Sequence, residues 1–143
     1  MKNLIYLFIL TLGIISCSSE DETRIDNSDL IGSWKWTNTD GGIGFHIHET
    51  PETTGKIIHL NLNGKYEYSV IENGTEISNG IYELIMKKSI YSGKMERFIK
   101  LQTIDQQYLG FVKNGIINID ENEKLNISDN NADGVGSEFV KIE

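Results

Sequence analysis

Cysteine and proline each occur only once in this sequence of 143 residues, as Cys17 and Pro51. A chain with one thiol forms no internal disulfide, so the fold is held without a covalent cross-link. No Gly-x-Ser-x-Gly motif and no glycine-rich strand-to-helix loop is present, and we therefore expect no enzymatic activity of those kinds. Helical periodicity is also missing after Ile31, whereas alternating apolar and polar residues recur to the end.

Basic residues are scarce as well. The chain has 13 Lys and Arg against 21 Asp and Glu, a net charge of −8. This balance argues against a nucleic-acid partner, whose phosphates require basic patches. It also argues against electrostatic adhesion to anionic lipid headgroups. A well-solvated surface is the simplest explanation of the acidic excess.

The N-terminus has the form of an export leader. Basic Lys2 precedes an uncharged, mostly apolar run over residues 4–15. A transmembrane helix needs about 20 apolar residues, so this run fits a signal-peptide core better. A plain secretory signal is the other alternative, and it would leave Cys17 as a free thiol. The order Ile14-Ile15-Ser16-Cys17 resembles the lipobox of bacterial lipoproteins, which implies removal of residues 1–16 and lipidation of Cys17.

A flexible, acidic tether is predicted for residues 17–28, because Ser18-Ser19-Glu20-Asp21-Glu22 offers nothing to pack. Acidic residues directly after the lipidated cysteine look like the surface-export signal of Bacteroidetes-type lipoproteins. That resemblance implies lipid anchoring at the outer membrane with exposure at the cell surface. The folded domain is expected over residues 29–143, which is enough chain for one core.

Nine strands are predicted from the alternation, over residues 31–36, 56–62, 65–71, 75–86, 95–104, 107–113, 116–119, 125–128 and 137–142. Asn-Gly pairs at residues 63–64, 73–74 and 114–115 predict type I′ hairpin turns. The pair at 79–80 predicts a bulge within a strand. Residues 38–55 show no clear period.

An all-β antiparallel fold follows from the short connections, since none has room for a crossover helix. We expect a small up-and-down barrel of about eight strands, because closure removes the exposed sheet edges. A two-sheet sandwich is the alternative.

The opening strand carries a further resemblance. Residues 29–35, with Gly32 and Trp34, look like the Gly-x-Trp strand of lipocalins, and specifically of lipocalin-like lipoproteins of the Bacteroidetes type. Residues 41–56 and 125–141 are similar to other parts of that family. The resemblance implies that Trp34 closes the barrel floor and that Lys141 packs across it, where Arg is more usual.

Two functions remain open. The lipocalin resemblance favours a non-catalytic binding module for a small apolar or amphipathic ligand. Its cavity could be lined by five aromatic residues, Tyr66, Tyr68, Phe98, Tyr108 and Phe111, which could equally fill it. The alternative is a filled barrel that acts as a structural or interaction module for an envelope protein. In either case we expect a monomer.

A calcium loop is a weaker hypothesis. Residues 129–134 match Asp-x-Asn-x-Asp-Gly, in which Asp129, Asn131 and Asp133 would offer oxygen atoms to Ca²⁺. The twelfth position is Val140 rather than the bidentate Glu of a complete loop. A polar turn is therefore the stronger interpretation, and any calcium binding would be weak.

Zinc is a second metal hypothesis. His46 and His48 lie on one side of an extended segment, and His59 could supply a third ligand. A histidine-dependent metal site is the one route to catalysis that the sequence leaves open. The alternative is three unconnected polar residues, and we expect no resident cofactor.

Overall fold

The computed structural model describes residues 24–103 and 108–143. Nine strands lie in this part of the chain: β1 Gly32–Gly41, β2 Ile47–Glu49, β3 Ile58–Leu62, β4 Glu67–Glu72, β5 Thr75–Lys88, β6 Met95–Leu101, β7 Asn114–Ile119, β8 Lys124–Ser128 and β9 Val135–Lys141. One α-helix, α1, spans Pro51–Thr54, and 3₁₀ turns span Ser28–Leu30 and Ile43–Phe45. No helix among the described residues is long and apolar enough to cross a membrane.

The strands close into an antiparallel barrel. Each strand from β3 to β8 pairs with the next, and β1 pairs with both β3 and β9. Eight strands form the barrel, while β2 is an extra strand on the far half of β1. The predicted all-β barrel of about eight strands is confirmed, and the sandwich alternative is wrong because β1 and β9 join the two ends of the sheet.

Two predicted features of the strand pattern are wrong. Residues 108–113 form no strand, although Leu109 and Phe111 alternate with their neighbours as strand residues would. Conversely, the aperiodic segment 38–55 contains the second half of β1, the short β2 and helix α1. Helix α1 forms because Thr50 and Thr53 cap each other and Pro51 occupies its first turn.

The Asn-Gly pairs have three different outcomes. Asn73 and Gly74 both have positive φ, as a type I′ turn requires. At the first pair, the residue with positive φ is Tyr66 rather than Gly64, so the hairpin loop is longer than predicted. Asn114 and Gly115 lie inside β7, opposite Lys100 and Ile99 of β6.

Strand β5 pairs with two neighbouring strands, one along each half of its length. Residues 75–81 pair with β4, and residues 82–88 pair with β6. The register shift lies opposite Val70 and Ile71 of β4, which places the bulge at Ile77 rather than at the predicted residues 79–80. The second half of β5 therefore has β6 as its only neighbour among the described strands.

The core lies inside the barrel. It is a single cluster of buried side chains contributed by every barrel strand together with the segments before β1 and before β7. Its largest fully buried members are Trp34, Trp36, Phe139, Leu30, Ile58, Leu60, Ile99, Leu109, Ile117, Leu125, Ile127 and Val70.

Candidate functional site

One end of the barrel is closed around Trp34. The indole N–H of Trp34 donates to the Leu30 carbonyl over 2.8 Å. The Lys141 ammonium lies 5.2 Å from the centre of the Trp34 ring. A β-carbon at Gly32 would lie 2.9 Å from Cε of Lys141 and 2.4 Å from the Glu143 carbonyl oxygen. Glycine at position 32 therefore lets the last strand and its lysine lie across the tryptophan.

The segment before β1 belongs to this closed end. The Asn27 side chain is buried and donates to the Asn63 carbonyl and to the Tyr82 hydroxyl, at 3.1 and 2.6 Å. The Tyr66 hydroxyl donates to the Ile25 carbonyl. Residues 24–28, which the sequence assigns to the flexible tether, are thus packed against the barrel. The earlier part of the tether and Cys17 lie outside the described residues.

The other end is closed by residues 109–112, which precede β7. Leu109 and Phe111 are buried, and the Phe111 ring meets Phe139 edge-on with centres 5.3 Å apart. The Thr39 hydroxyl donates to the Gly110 carbonyl, and the Val112 N–H donates to Ser137 Oγ. These bonds satisfy the backbone carbonyl of Gly110 and the N–H of Val112, which lie beside the two buried apolar side chains.

The five aromatic residues predicted to line a cavity have different positions. Tyr68 and Phe111 are buried core members, and Tyr66 is half-buried beside them. Phe98 lies on the outer face with Ile85, opposite in direction to buried Ile99, under the Lys87 ammonium. Tyr108 is exposed and donates to the Glu49 carboxylate over 2.7 Å.

Strand alternation explains why Phe98 does not line the interior. Neighbouring residues of a strand point to opposite faces, and Ile99 and Leu101 are the inward residues of β6. Partial burial, together with the hydrogen bond to the Glu49 carboxylate, raises the pKa of the Tyr108 phenol to about 12. Tyr68 and Phe111 therefore belong to the packed core with Tyr66 beside them, whereas Phe98 and Tyr108 lie outside it.

A surface cleft lies outside the barrel, between the segment before β1 and the second half of β5. Its volume is about 510 Å³. Its apolar part includes Ile81, Ile85 and Met86, which are 53, 39 and 47% exposed. Arg24 and Lys65 add positive charge, and the Arg24 guanidinium lies 5.1 Å from the centre of the Tyr66 ring.

The sequence contains a signal for this cleft that the predicted strand pattern did not include. Leu84-Ile85-Met86 are three successive apolar residues, which breaks the alternation expected of a strand with one face in water. The exposed members of that run, Ile85 and Met86, border the cleft because the pairing of β5 with β4 stops at Ile81.

The three histidines do not converge. His48 bonds through Nδ1 to Asp40, and His59 lies on β3 opposite Lys35. His46 lies at the end of the 3₁₀ turn beside Gly44. Within residues 24–103 and 108–143, no three His, Cys, Asp or Glu side chains are grouped so that they could hold a metal ion. The geometry that the zinc hypothesis requires is therefore absent from this part of the chain.

In the loop considered for calcium, one carboxylate oxygen bonds to the backbone after the loop and one backbone carbonyl bonds to Tyr91. Oδ1 of Asp129 accepts from the Val135 N–H over 2.9 Å. The Asn131 carbonyl accepts from the Tyr91 hydroxyl. Burial and the nearby carboxylates of Asp129 and Asp133 raise the pKa of Tyr91. These contacts are those of a polar turn that docks on the connection between β5 and β6.

The chain has no counterpart in the comparisons with known proteins: no family model, curated protein or solved structure matches it. The closed eight-stranded barrel is compatible with a lipocalin-like fold.

Proposed function

We propose that this chain is a lipid-anchored lipoprotein of the outer membrane, exposed at the cell surface, whose filled barrel is a rigid, non-catalytic interaction module. The observation that supports the interaction role is the packing of side chains in the barrel interior. Tyr68 and Phe111, the best candidates for cavity walls, are core residues, and Leu30 and Leu109 are buried near the two ends. A filled barrel offers its outer surface and loops to a partner.

The lipid anchor rests on Cys17 and the leader before it. Expression of the full-length chain in a lipoprotein-processing bacterium tests this part. We expect mass spectrometry to find a chain that begins at Cys17 and carries acyl groups, and we expect Cys17→Ala to abolish both. An unprocessed or unacylated wild-type chain would refute the anchor.

Intrinsic fluorescence tests the filled interior, since Trp34 and Trp36 are the two tryptophans of the chain and both are buried in the core. We expect a fluorescent fatty-acid probe to leave their emission unchanged in the wild-type protein. Phe111→Ala should create a cavity of the kind that admits apolar ligands and thereby allow the probe to quench them. Saturable quenching of the wild-type emission that persists in Arg24→Gln and Met86→Ser would instead favour a ligand-carrying barrel.

The surface cleft favours a second candidate, a small amphipathic ligand with an acidic head bound outside the barrel. Its volume lies within the roughly 300–1,000 Å³ range of ligand sites. Arg24 supplies a cation beside the apolar surface of Met86. We expect Arg24→Gln and Met86→Ser each to weaken binding of dansyl-undecanoate at least about fivefold. Ile57→Ser, a matched change of an exposed apolar residue outside the cleft, should leave it unchanged.

A further inference from the structure

The end of β5, the connection that follows it and the first residue of β6 together carry a charge opposite in sign to that of the whole protein. Residues 87–95 read Lys-Lys-Ser-Ile-Tyr-Ser-Gly-Lys-Met, with three lysines and no acid. The chain as a whole has a net charge of −8. We call these nine residues the basic turn. Its charge is local, so the net charge of the chain does not describe what this surface attracts.

Apolar side chains accompany the lysines. Ile90, Tyr91 and Met95 are 53, 58 and 57% exposed. An exposed group of large apolar residues interleaved with lysine is unusual for a surface that meets only water. The combination matches the interfacial region of a membrane, where lysines meet headgroups and apolar or aromatic side chains enter the boundary layer.

The basic turn is held in one shape. Asn130 donates to the Lys88 carbonyl and accepts from the Ile90 N–H, at 3.0 and 2.9 Å. The Tyr91 hydroxyl donates to the Asn131 carbonyl over 2.6 Å. Within the turn, the Ser89 N–H donates to the Lys94 carbonyl. Because these bonds fix the backbone, little conformational entropy is lost when the surface binds.

The basic turn is also connected to the part of the protein nearest the lipid anchor. Arg97, two residues after the turn, forms a bidentate ion pair with Asp29, at 2.7 and 2.6 Å. Arg24 is seven residues from Cys17, and a fully extended chain spans at most about 3.6 Å per residue. The barrel therefore cannot lie more than about 25 Å from the lipidated residue, measured from Arg24.

We propose that the basic turn docks on the anionic headgroups of the membrane that carries the anchor, with Ile90, Tyr91 and Met95 entering the interface. This inference rests on the lipid anchor at Cys17 proposed above. Lys88 and Lys94 are the charge contacts, and the Lys87 ammonium lies 4.5 Å from the centre of the Phe98 ring. Nearby acids are Glu96, which accepts from Ser92, and Asp129 and Asp133 on the neighbouring loop.

Vesicle flotation of the mature-length chain tests the docking without the lipid. This chain starts at residue 17, carries Cys17→Ser and retains every described residue. We expect it to bind phosphatidylglycerol vesicles in low salt, to lose binding in about 0.5 M salt, and to ignore phosphatidylcholine vesicles. The double variant Lys88→Glu/Lys94→Glu should bind at least about 25-fold more weakly, since each basic residue near an anionic surface is worth about fivefold.

The matched control is Lys35→Glu/Lys56→Glu, which changes the net charge by the same amount on strand β1 and in the segment before β3. It should keep most of the vesicle binding. Equal losses in the two double variants, or no binding by the parent chain, would overturn the docking. Loss of binding to a protein from the same envelope, with vesicle binding unchanged, would assign the basic turn to a protein partner instead. Acylation at Cys17 is measured separately, so failure of the anchor is distinguishable from failure of the docking.

Discussion

The Lys141 ammonium lies 5.2 Å from the centre of the Trp34 ring, and the two residues are directly paired between β9 and β1. The contact therefore joins the last strand of the barrel to the first. A lysine lacks the flat guanidinium that stacks on an indole, but its ammonium still interacts with the ring face. Gly32 makes the approach possible, because a β-carbon there would meet Cε of Lys141.

Gly32→Ala should destabilise the barrel by about 2–4 kcal/mol. Gly32 has a φ of +144°, and an added β-carbon would lie 2.4 Å from the Glu143 carbonyl oxygen. Chemical denaturation gives the free energy of unfolding. Gly74→Ala is the control, because Gly74 also has positive φ but no atom lies within 4 Å of the added carbon. Its cost should stay near 1 kcal/mol, and equal costs would refute the close-approach argument.

Asn27→Ala should lower the free energy of unfolding by about 1–3 kcal/mol, because it removes the buried donor to the Tyr82 hydroxyl and one of three donors to the Asn63 carbonyl. Asn79→Ala removes an exposed hydrogen bond to Glu76 and should cost less than about 0.5 kcal/mol. Thermal unfolding of the two variants compares them. If Asn27→Ala is as mild as Asn79→Ala, the segment before β1 does not stabilise the fold.

Asp29→Asn should destabilise the protein at pH 7 but not in acid. Hydrogen bonds from Arg97 lower the pKa of Asp29 in the folded state. A lowered folded pKa stabilises the fold above the unfolded carboxyl pKa of about 3.9, and this stabilisation is lost as the pH falls through the folded pKa. The pair is partly exposed, so we expect at most about 1 kcal/mol at pH 7.

Urea denaturation of the wild-type protein and the Asp29→Asn variant at several pH values measures this dependence. The difference between their free energies of unfolding should shrink as the pH falls below about 4. A difference that stays constant with pH would show that the carboxylate charge is not what matters at this position.

Asp129→Ala should lower the melting temperature by the same amount in calcium and in EDTA. The Asp129 carboxylate accepts from the Val135 N–H, and the loss of such a turn contact costs about 1 kcal/mol. Wild-type melting temperatures in the two buffers provide the control, and we expect them to be equal. A wild-type melting temperature that rises with calcium, and only when Asp129 is present, would support the calcium loop.

Much of the sheet could be predicted from local patterns. The alternation in Ile58, Leu60 and Leu62 marks the inward face of β3 correctly. Asn73-Gly74 forms the predicted turn between β4 and β5. The same two signals failed elsewhere. Leu109 and Phe111 alternate because they close the barrel, with a positive φ at Gly110 between them. Alternation reports which side chains are buried, and it does not reveal whether a strand neighbour exists.

Gly115 shows that an Asn-Gly pair does not always mark a turn. An added β-carbon there would lie 2.3 Å from the Ser128 carbonyl oxygen, so glycine is needed for the close approach of β8 rather than for a turn. Only the register between β7 and β8 supplies that reason. Likewise, Asn130 bonds to residues 90 and 88, which lie 40 and 42 positions earlier in the chain. No local sequence pattern predicts a contact between such distant residues.

The sequence by itself determined the fold class, since alternation, short connections and the lack of a crossover helix leave antiparallel closure as the way to remove sheet edges. The lipocalin resemblance, rather than any local pattern, implied that Lys141 packs across Trp34. The tertiary structure alone decided how the interior is occupied, because that depends on which distant segments reach the same space. Leu30 and Leu109 pack into the core that Tyr68 and Phe111 share, and the exposed apolar surface lies instead beside β5.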